Sequence, residues 1–299
     1  MKFERNWLAT VRRKGLRKVL LLTWLLFATV TASWFLAALN AYASVVDRNI
    51  PLQTILSSSH RSDANRARDR DRHPLETLEF FGIAPDLTVV ELWPGSGWYT
   101  EILAPFLAQK GQLIVTNFDP KFNSIGKAFQ DKLTADPDIF GNVKVVVVNP
   151  AQQITLAPDN SVDLILTFRN IHNWVSGGFA EKVFEAAYKA LKPGGIMGVV
   201  EHRAKPGMSW EESALTGYIS EDAVIAALEK IGFQFADKSE VNANPKDTKD
   251  YPGGVWSLPP SSILGKQDKE YYMSIGESDR MTLKFIKPIP SRSISDKYN

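Results

Sequence analysis

The sequence predicts an α/β fold built on a doubly wound, mostly parallel sheet of about seven strands. Two observations predict it. Short apolar runs rich in β-branched residues alternate with segments of helical periodicity from residue 74 onward. The runs are continuously apolar rather than alternating, as expected for strands covered on both faces by helices.

The strand candidates are evenly spread along the chain and are bounded by turn residues. The first, "LTVVELW", leads directly into a glycine-containing turn. In chain order the candidates are 87–93, 111–118, 143–149, 162–168, 196–201, 233–241 and 280–286.

The predicted helices have recognisable first and last residues. Pro74 suits the first turn of a helix that ends at Gly82. A second helix begins near Gly97, and a third spans about 179–191 before "KPGG". Ser220 is a capping residue for a fourth helix that ends at Gly232.

The first 43 residues read as a targeting segment. Residues 1–18 carry seven basic groups and one acid, and residues 19–39 form an uncharged stretch of 21 residues. That stretch is long enough to span a bilayer, whereas Ala41 and Ala43 offer a cleavage pattern before Ser44. We therefore expect either a signal peptide or a membrane anchor, and in both cases an exported, periplasmic body.

The remaining chain has a different charge balance from this leader. Beyond residue 18 it carries 28 basic and 32 acidic groups, a net charge of −4. Such a body is not suited to binding nucleic acid. The absence of cysteine excludes disulfides, thiolate metal sites and a cysteine nucleophile. Residues 44–73 contain alternating Arg and Asp, which predicts a polar arm, either a solvated helix or a flexible segment.

The turn after the first strand is the clearest candidate for a ligand site. In open α/β sheets, ligands bind beyond the carboxyl ends of the strands. Glycines allow close backbone approach there, and a helix start offers free N–H groups. The third glycine of a dinucleotide fingerprint is replaced by Thr100, so a nicotinamide enzyme is disfavoured. The candidate residues are Glu91, Trp93, Gly95, Ser96 and Gly97.

With its acid at Glu91, this stretch resembles the first motif of class I S-adenosylmethionine-dependent methyltransferases, with Trp93 in the place of the first glycine. The resemblance covers about residues 74–289. It implies a Rossmann-like methyltransferase fold with an antiparallel last strand, and S-adenosylmethionine as cofactor. The chain is also similar to a group of exported bacterial proteins that are predicted methyltransferases. The shared segments are "WPGSGWYT", "FRNIHNW", "EHRA", "NPKDT" and "GESDRM".

The resemblance places Glu91 and the backbone of 95–97 at the methionine end of the cofactor. It places Asn117 at the ribose-binding position, with Asp119 nearby, although Asp119 is equally suited to a turn before Pro120. The indole of Trp93 could stack on the sulfonium, or simply pack in the core.

A polar group follows the fourth strand, where this family usually places substrate or catalytic groups. It contains Arg169, Asn170 and His172, and His202 follows the neighbouring fifth strand. We expect one histidine to act as a general base and no metal to be bound. Two alternatives remain open for these residues, an ion pair between Arg169 and Glu91, and a metal site formed by both histidines with a carboxylate.

The remaining segments are predicted to form a lid-like insertion and a C-terminal tail. Residues 242–278 interrupt the strand–helix rhythm and are expected to form a lid-like insertion in a domain spanning 74–289, followed by a tail at 290–299. Arg280 either binds a carboxylate or pairs with Glu277 or Asp279.

The leading hypothesis is an S-adenosylmethionine-dependent methyltransferase acting on a small substrate. The alternatives are a non-catalytic binding module on the same fold and a metal-dependent enzyme using His172 and His202. The methyl acceptor and the oligomeric state are left open by the sequence.

Overall fold

A computed structural model describes residues 51–290 of the chain. Its centre is one seven-stranded sheet of order β3-β2-β1-β4-β5-β7-β6. Strands β1 to β5 run parallel, whereas β7 is antiparallel to both β5 and β6. The predicted fold class is therefore confirmed. The strands are β1 Thr88–Leu92, β2 Gln112–Asn117, β3 Lys144–Val147, β4 Val162–Phe168, β5 Leu191–His202, β6 Gln234–Ser239 and β7 Arg280–Ile286.

The strand positions agree closely with the apolar runs of the sequence. Strand β4 has the predicted bounds, and β5 begins earlier than predicted because Leu191 already pairs with Val162. The parallel register places Leu92 opposite Thr167 and Phe168 opposite Val200. The residues that follow β1, β4 and β5 therefore meet at one edge of the sheet.

Helices cover both faces of the sheet. The longer ones start or end at the residues that the sequence indicates. Gly82 ends one helix with a φ of 77°, and the hydroxyl oxygen of Ser220 accepts a hydrogen bond from the Ala223 N–H at the start of another. The helices are α1 Leu52–Leu56, α2 Asp63–Arg66, α3 Asp69–Arg72, α4 Pro74–Phe81, α5 Thr100–Leu107, α6 Ser124–Ala135, α7 Pro137–Phe140, α8 Ile171–Ser176, α9 Ala180–Ala190, α10 Trp210–Leu215, α11 Glu221–Ile231 and α12 Lys269–Ile275.

The hydrophobic core is divided into two parts by the sheet. One part lies between the sheet and helices α8, α9 and α11, and the other lies between the sheet and α4, α5 and α6. This two-sided burial explains why the strands read as continuous apolar runs in the sequence.

The segment 51–73 differs from the solvated or flexible arm that we expected. Leu52 and Ile55 are buried in the core, and the side chain of Arg61 is fully buried. Arg61 forms two hydrogen bonds of 2.7 Å to Asp69, and its guanidinium lies 5.1 Å from the Trp98 ring centroid. Two of its arginines, Arg61 and Arg72, are thus paired inside the protein, whereas Arg70 is exposed.

The insertion 242–278 is ordered and tied to the sheet at both of its ends. Asn242 is buried and donates to the hydroxyl oxygens of Thr77 and Thr282, at 2.9 and 3.0 Å. Its middle contains a short 3₁₀ helix, Gly254–Ser257, followed by α12. These contacts hold the insertion over the sheet edge where β4 and β5 end.

The predicted leader lies outside the described residues, as do the apolar stretch 19–39 and residues 291–299 of the predicted tail. Within residues 51–290, no helix is both long enough and apolar enough to cross a bilayer.

Candidate functional site

A pocket of about 260 Å³ opens at the carboxyl ends of β1, β4 and β5. Three parts of the chain form it: the strand-end turns, the segment 51–73 and the insertion. Its lining is Arg68, Arg72, Trp93, Pro94, Gly95, Ser96, Trp98, Phe168, Arg169, Asn170, His172, Asn173, His202, Val255, Trp256, Pro259, Pro260, Ser261, Glu277 and Ser278. Both predicted histidines and much of the predicted glycine turn therefore border one cavity.

The glycine turn keeps a conformation that favours glycine at three positions. Gly95 and Gly97 have φ angles of 61° and 79°, and Trp93 also has a positive φ, 41°. A side chain at this φ is uncommon and costs conformational energy, which explains why the related families place glycine there. A Cβ added to Gly95 would meet no atom within 4 Å, so this residue borders open space.

The Trp93 ring packs within an aromatic cluster, which we define as Trp93, Phe118, Trp174 and Phe179. The centroids of the other three rings lie 5.3 to 6.2 Å from that of Trp93. Trp93 is only 6% exposed, and its indole N–H is buried without a hydrogen-bond partner among the described residues. Trp93 thus fills space that a glycine would leave open, and stacking of its ring on a sulfonium stays a prediction.

Glu91 lies behind the pocket rather than on its surface. It is buried, and one carboxylate oxygen accepts a 2.7 Å hydrogen bond from the Thr100 hydroxyl. Burial raises the pKa of Glu91 to about 7, despite the opposing effects of that hydrogen bond and of Lys132. Its observed partner is Thr100 rather than Arg169, so the ion pair with Arg169 that the sequence left open is not the arrangement seen.

Asn117 and Asp119 are not among the residues that line the pocket. The Asn117 amide donates to the carbonyl oxygen of Gly126 at 2.9 Å. An Asp119 carboxylate oxygen accepts from the backbone N–H of Lys121 at 2.9 Å, as in an Asx turn. Ribose binding by either residue stays a prediction.

The two histidines are brought together as predicted, with ring centroids 5.5 Å apart. His172 Nδ1 lies 3.0 Å from Glu201, whose carboxylate also accepts from the backbone N–H of Ile171 and of His202. Since a carboxylate only accepts hydrogen bonds, His172 carries its proton on Nδ1, and Nε2 is the nitrogen able to accept one. Glu201 therefore orients His172 in the way that a buried carboxylate orients a catalytic base.

His202 has a different partner and a different charge preference. Its Nδ1 forms a short hydrogen bond with the Ser278 hydroxyl, from the end of the insertion. The pKa of His202 is held well below its ordinary value, first by burial and then by the positive charges around it, including Arg169. His202 is thus kept neutral near pH 7.

Arg169 and Asn170 both line the pocket, but only Asn170 has side-chain hydrogen bonds within residues 51–290. Asn170 donates to the carbonyl oxygen of Leu92 at 2.8 Å, which joins the ends of β1 and β4. Arg169 has a positive φ of 61°, and its guanidinium has no hydrogen bond or ion pair in that part of the chain. Burial lowers the pKa of Arg169 to about 10.

One part of the pocket was missed by the sequence interpretation. We define the arginine cluster as Arg68, Arg72, Arg169 and Arg280 together with Glu277. Glu277 accepts hydrogen bonds from Arg68 at 2.7 Å, from Arg72 at 3.1 and 3.2 Å, and from Arg280 at 2.8 Å. The pairing of Arg280 with Glu277, one of the two alternatives for Arg280, is confirmed.

The arginine cluster strongly favours the charged form of its carboxylate. Burial alone would raise the pKa of Glu277, but Arg72, Arg280, Arg68 and Arg169 lower it to about 2. The same crowding holds the pKa of Arg72 well below its ordinary value, with burial as the largest cause and Arg169 next. The sequence signal for this cluster is the run "RARDRDRH", in which the arginines outnumber the aspartates.

The metal-site alternative is geometrically possible at the histidines. One ligand atom from each of His172, Glu201 and His202 lies within 4.8 Å of the others. The Glu201 oxygens are, however, already hydrogen-bonded to His172 and to the backbone N–H groups of Ile171 and His202.

Comparison with known proteins shows that the central region is similar to methyltransferases. A family model described as a methyltransferase domain matches residues 90–199. The matched segment is 110 of the 299 residues of the chain. This match covers residues 90–92 of β1, all of β2, β3 and β4, and most of β5, together with the glycine turn and His172. It confirms the predicted resemblance to class I methyltransferases.

Curated relatives agree over the same region. The chain is 31% identical over 124 residues to a ubiquinone/menaquinone biosynthesis C-methyltransferase UbiE from Hydrogenovibrio crunogenus, covering 42% of this chain and 45% of that protein. It is 29% identical over 142 residues to the enzyme of the same name from Teredinibacter turnerae, covering 48% and 53%. The chain thus spans about half the length of the curated relatives it matches.

Solved structures show the same fold over a longer part of the chain. Geranyl diphosphate C-methyltransferase from Streptomyces coelicolor A3(2) gives a TM-score of 0.51 at 14% identity, covering 79% of this chain and 86% of that one. The [4+2]-cyclase SpnF gives 0.50 at 15% identity, covering 74% and 81%. At these identities the likeness describes architecture alone.

Proposed function

We propose that the protein is an S-adenosylmethionine-dependent methyltransferase that acts on a small molecule. The observation that carries this proposal is the pocket at the edge of the methyltransferase domain. There a glycine turn that borders open space lies beside a carboxylate-oriented histidine. The names of the curated relatives, which are C-methyltransferases, support it.

The residues around the pocket suit a cofactor that carries a carboxylate, a sulfonium and an aromatic base. The open face of Gly95 and the exposed Ser96 allow close approach to the backbone. The partnerless indole N–H of Trp93 supplies a donor, and its ring supplies an aromatic surface. These residues would hold the cofactor, which supplies an activated methyl group when bound.

The chain's own contribution to the reaction is positioning and proton transfer. Trp256 lies edge-on to His172 with ring centroids 6.0 Å apart, so the insertion limits the access of water to the histidine. His172 Nε2 is placed to take the proton that an acceptor hydroxyl or amine loses on methylation. Glu201 stabilises the imidazolium that results.

His172 is a better base than His202 because of these surroundings. Glu201 compensates a positive charge on His172, whereas His202 is paired with a hydroxyl and surrounded by cations. Replacement of His172 by Ala should therefore reduce methyl transfer by about 10²- to 10⁴-fold with little change in cofactor affinity. A larger loss of rate in His202→Ala would reverse the assignment.

Export of this activity, by the leader of residues 1–43, is part of the proposal and rests on the sequence alone. The basic flank and the uncharged stretch at 19–39 support it. The test is the site of accumulation of the full chain and of a chain in which Leu22 and Leu25 are replaced by Arg. Equal cytoplasmic accumulation of both would contradict export.

The cofactor assignment is tested by calorimetric titration of the full chain with S-adenosylmethionine and S-adenosylhomocysteine. Gly95→Ala adds a methyl group on the open side of the turn, and we expect at least a tenfold loss of affinity. Gly207→Ala is the matched control, because Gly207 also has a positive φ, 81°, and no atom near its added Cβ, but lies outside the pocket. Absence of binding in the wild-type chain would favour a non-catalytic module.

A further inference from the structure

We propose that Arg72, together with Arg68 and Arg169, forms an oxyanion subsite, and that the methyl acceptor carries a carboxylate or phosphate group bound there. This inference rests on the proposed function and names the substrate class. All three arginines line the same pocket as His172 and His202. The argument depends on unsatisfied donors, on charge balance and on position.

The first argument concerns guanidinium N–H donors that lack acceptors. Arg72 is 2% exposed, and although its Nε is bonded to Glu277, its Nη2 is buried without a partner. Arg68 Nη2 is likewise buried without a partner, and the Arg169 guanidinium has no hydrogen bond or ion pair within residues 51–290. Buried guanidinium donors that lack acceptors are unfavourable, and an oxyanion in the pocket would satisfy several of them together.

The charge balance requires an anion. Arg68, Arg72, Arg169 and Arg280 face two carboxylates, Glu277 and Glu201, which leaves two uncompensated positive charges beside a neutral His202. S-adenosylmethionine adds a net charge of about +1, since its carboxylate is offset by an ammonium group and the sulfonium remains. The cofactor therefore cannot neutralise the cluster, whereas an acceptor with one or two negative charges can.

The position of Arg169 links the subsite to the reaction. Arg169 and His172 belong to the same turn after β4, and Glu201 interacts electrostatically with Arg169 while it orients His172. An acceptor held by its anionic group at Arg169 would present a neighbouring hydroxyl or amine to His172. The arginine cluster thus selects the substrate, and the histidine acts on it.

The experiment measures the melting temperature of the full chain in inorganic phosphate and, separately, in S-adenosylhomocysteine. Phosphate should raise the melting temperature of the wild type. Its apparent affinity should fall at least tenfold in Arg169→Met, because one charged donor group is lost. Arg169→Met is informative because that side chain has no direct hydrogen bond or ion pair within the described region, and loses only its longer-range attraction to Glu277 and Glu201. Arg72→Lys, which keeps the charge but loses the paired donors, is the second variant.

Arg70→Met is the matched control. Arg70 belongs to the same helix as Arg72, is 81% exposed, pairs only with Asp71 among the described residues, and does not line the pocket. Its response to phosphate should equal that of the wild type. Equal phosphate responses in Arg70→Met and Arg169→Met, or no response in the wild type, would overturn the subsite.

The second ligand separates this inference from the proposed function and from the cofactor's own carboxylate. If S-adenosylhomocysteine binds and phosphate does not, the subsite is wrong while the proposed function stands. If phosphate binds and S-adenosylhomocysteine does not, the oxyanion site stands while the proposed function is wrong.

5′-Methylthioadenosine, which lacks the carboxylate of S-adenosylhomocysteine, shows whether the subsite binds the cofactor or the methyl acceptor. If Arg169→Met weakens S-adenosylhomocysteine tenfold but not 5′-methylthioadenosine, the subsite belongs to the cofactor, and the proposed acceptor class is overturned. Unchanged affinity for both supports an anionic acceptor.

Discussion

The aromatic cluster and the arginine cluster border the same pocket but are stabilised in opposite ways. Around Trp93 the contacts are apolar, and a single indole N–H is left without a partner. In the arginine cluster several buried donors lack partners within residues 51–290, and one carboxylate, Glu277, accepts hydrogen bonds from three arginines. The contacts of the aromatic cluster are thus mostly satisfied within the described residues, whereas several donors of the arginine cluster are not.

The largest expected loss of stability comes from Glu277→Gln in the arginine cluster. The substitution leaves the buried arginines without their shared carboxylate, and removing one member of such a group usually costs about 3–5 kcal/mol. Urea unfolding of the full chain measures the change. Glu79→Gln, at an exposed glutamate, should change the free energy of unfolding by less than about 0.5 kcal/mol. Similar values for the two variants would show that the cluster is not tightly coupled.

Acid should weaken the arginine cluster selectively. The pKa of Glu277 falls from an ordinary 4.5 to about 2, so its stabilising contribution is present above about pH 4.5 and is lost as the pH falls toward 2. The shift corresponds to about 3 kcal/mol. Unfolding measured between pH 5 and 2 should show this loss in the wild type and not in Glu277→Gln. Parallel pH profiles for the two chains would contradict it.

Substitution of Trp98, which contacts the arginine cluster, and of Trp93, in the aromatic cluster, allows the two clusters to be compared directly. The Trp98 N–H donates to the Asn65 carbonyl oxygen at 3.1 Å, and Arg72 lies 4.7 Å from the Trp98 ring centroid. Among the described residues, Trp93 has neither an acceptor for its N–H nor a cation over its ring. Trp98→Phe should therefore destabilise the chain by at least about 1 kcal/mol more than Trp93→Phe. Equal costs in thermal unfolding would mean that the partnerless N–H of Trp93 has a partner in solution.

The smallest effect concerns the charge of His202. Because burial and neighbouring cations keep its pKa well below the ordinary value, its ring signals should stay those of neutral imidazole from pH 8 to pH 6 in an NMR titration. Phosphate bound at the arginine cluster should raise that pKa by partly cancelling the positive field. A normal titration near pH 6.5 without phosphate would contradict this picture.

The sequence predicts the sheet better than it predicts the arginine cluster, for a physical reason. Strands such as β4 are specified locally, because seven consecutive residues carry the burial pattern. The burial of Arg68 depends on Glu277, 209 positions away, and no local pattern records that contact. Alternating Arg and Asp therefore looked solvated, although Arg61 and Arg72 are buried.

The sequence predicts the histidine pair less fully than the sheet but better than the arginine cluster. The pairing of β4 with β5 follows from the fold, and it places His172 and His202 side by side as predicted. The hydrogen bonds that distinguish them, to Glu201 and to Ser278, depend on side-chain geometry and became visible only in the structure.

Glu277 joins Arg68 and Arg72 across almost the whole described length of the chain, and this has a consequence for biosynthesis. The sheet strands from β1 to β6 leave the ribosome before Glu277 does. Arg68, Arg72 and Arg169 are therefore synthesised before the carboxylate that neutralises them, and β6 is synthesised before β7, the strand with which it pairs. The arginine cluster is thus completed only after residues 277–280 have been synthesised.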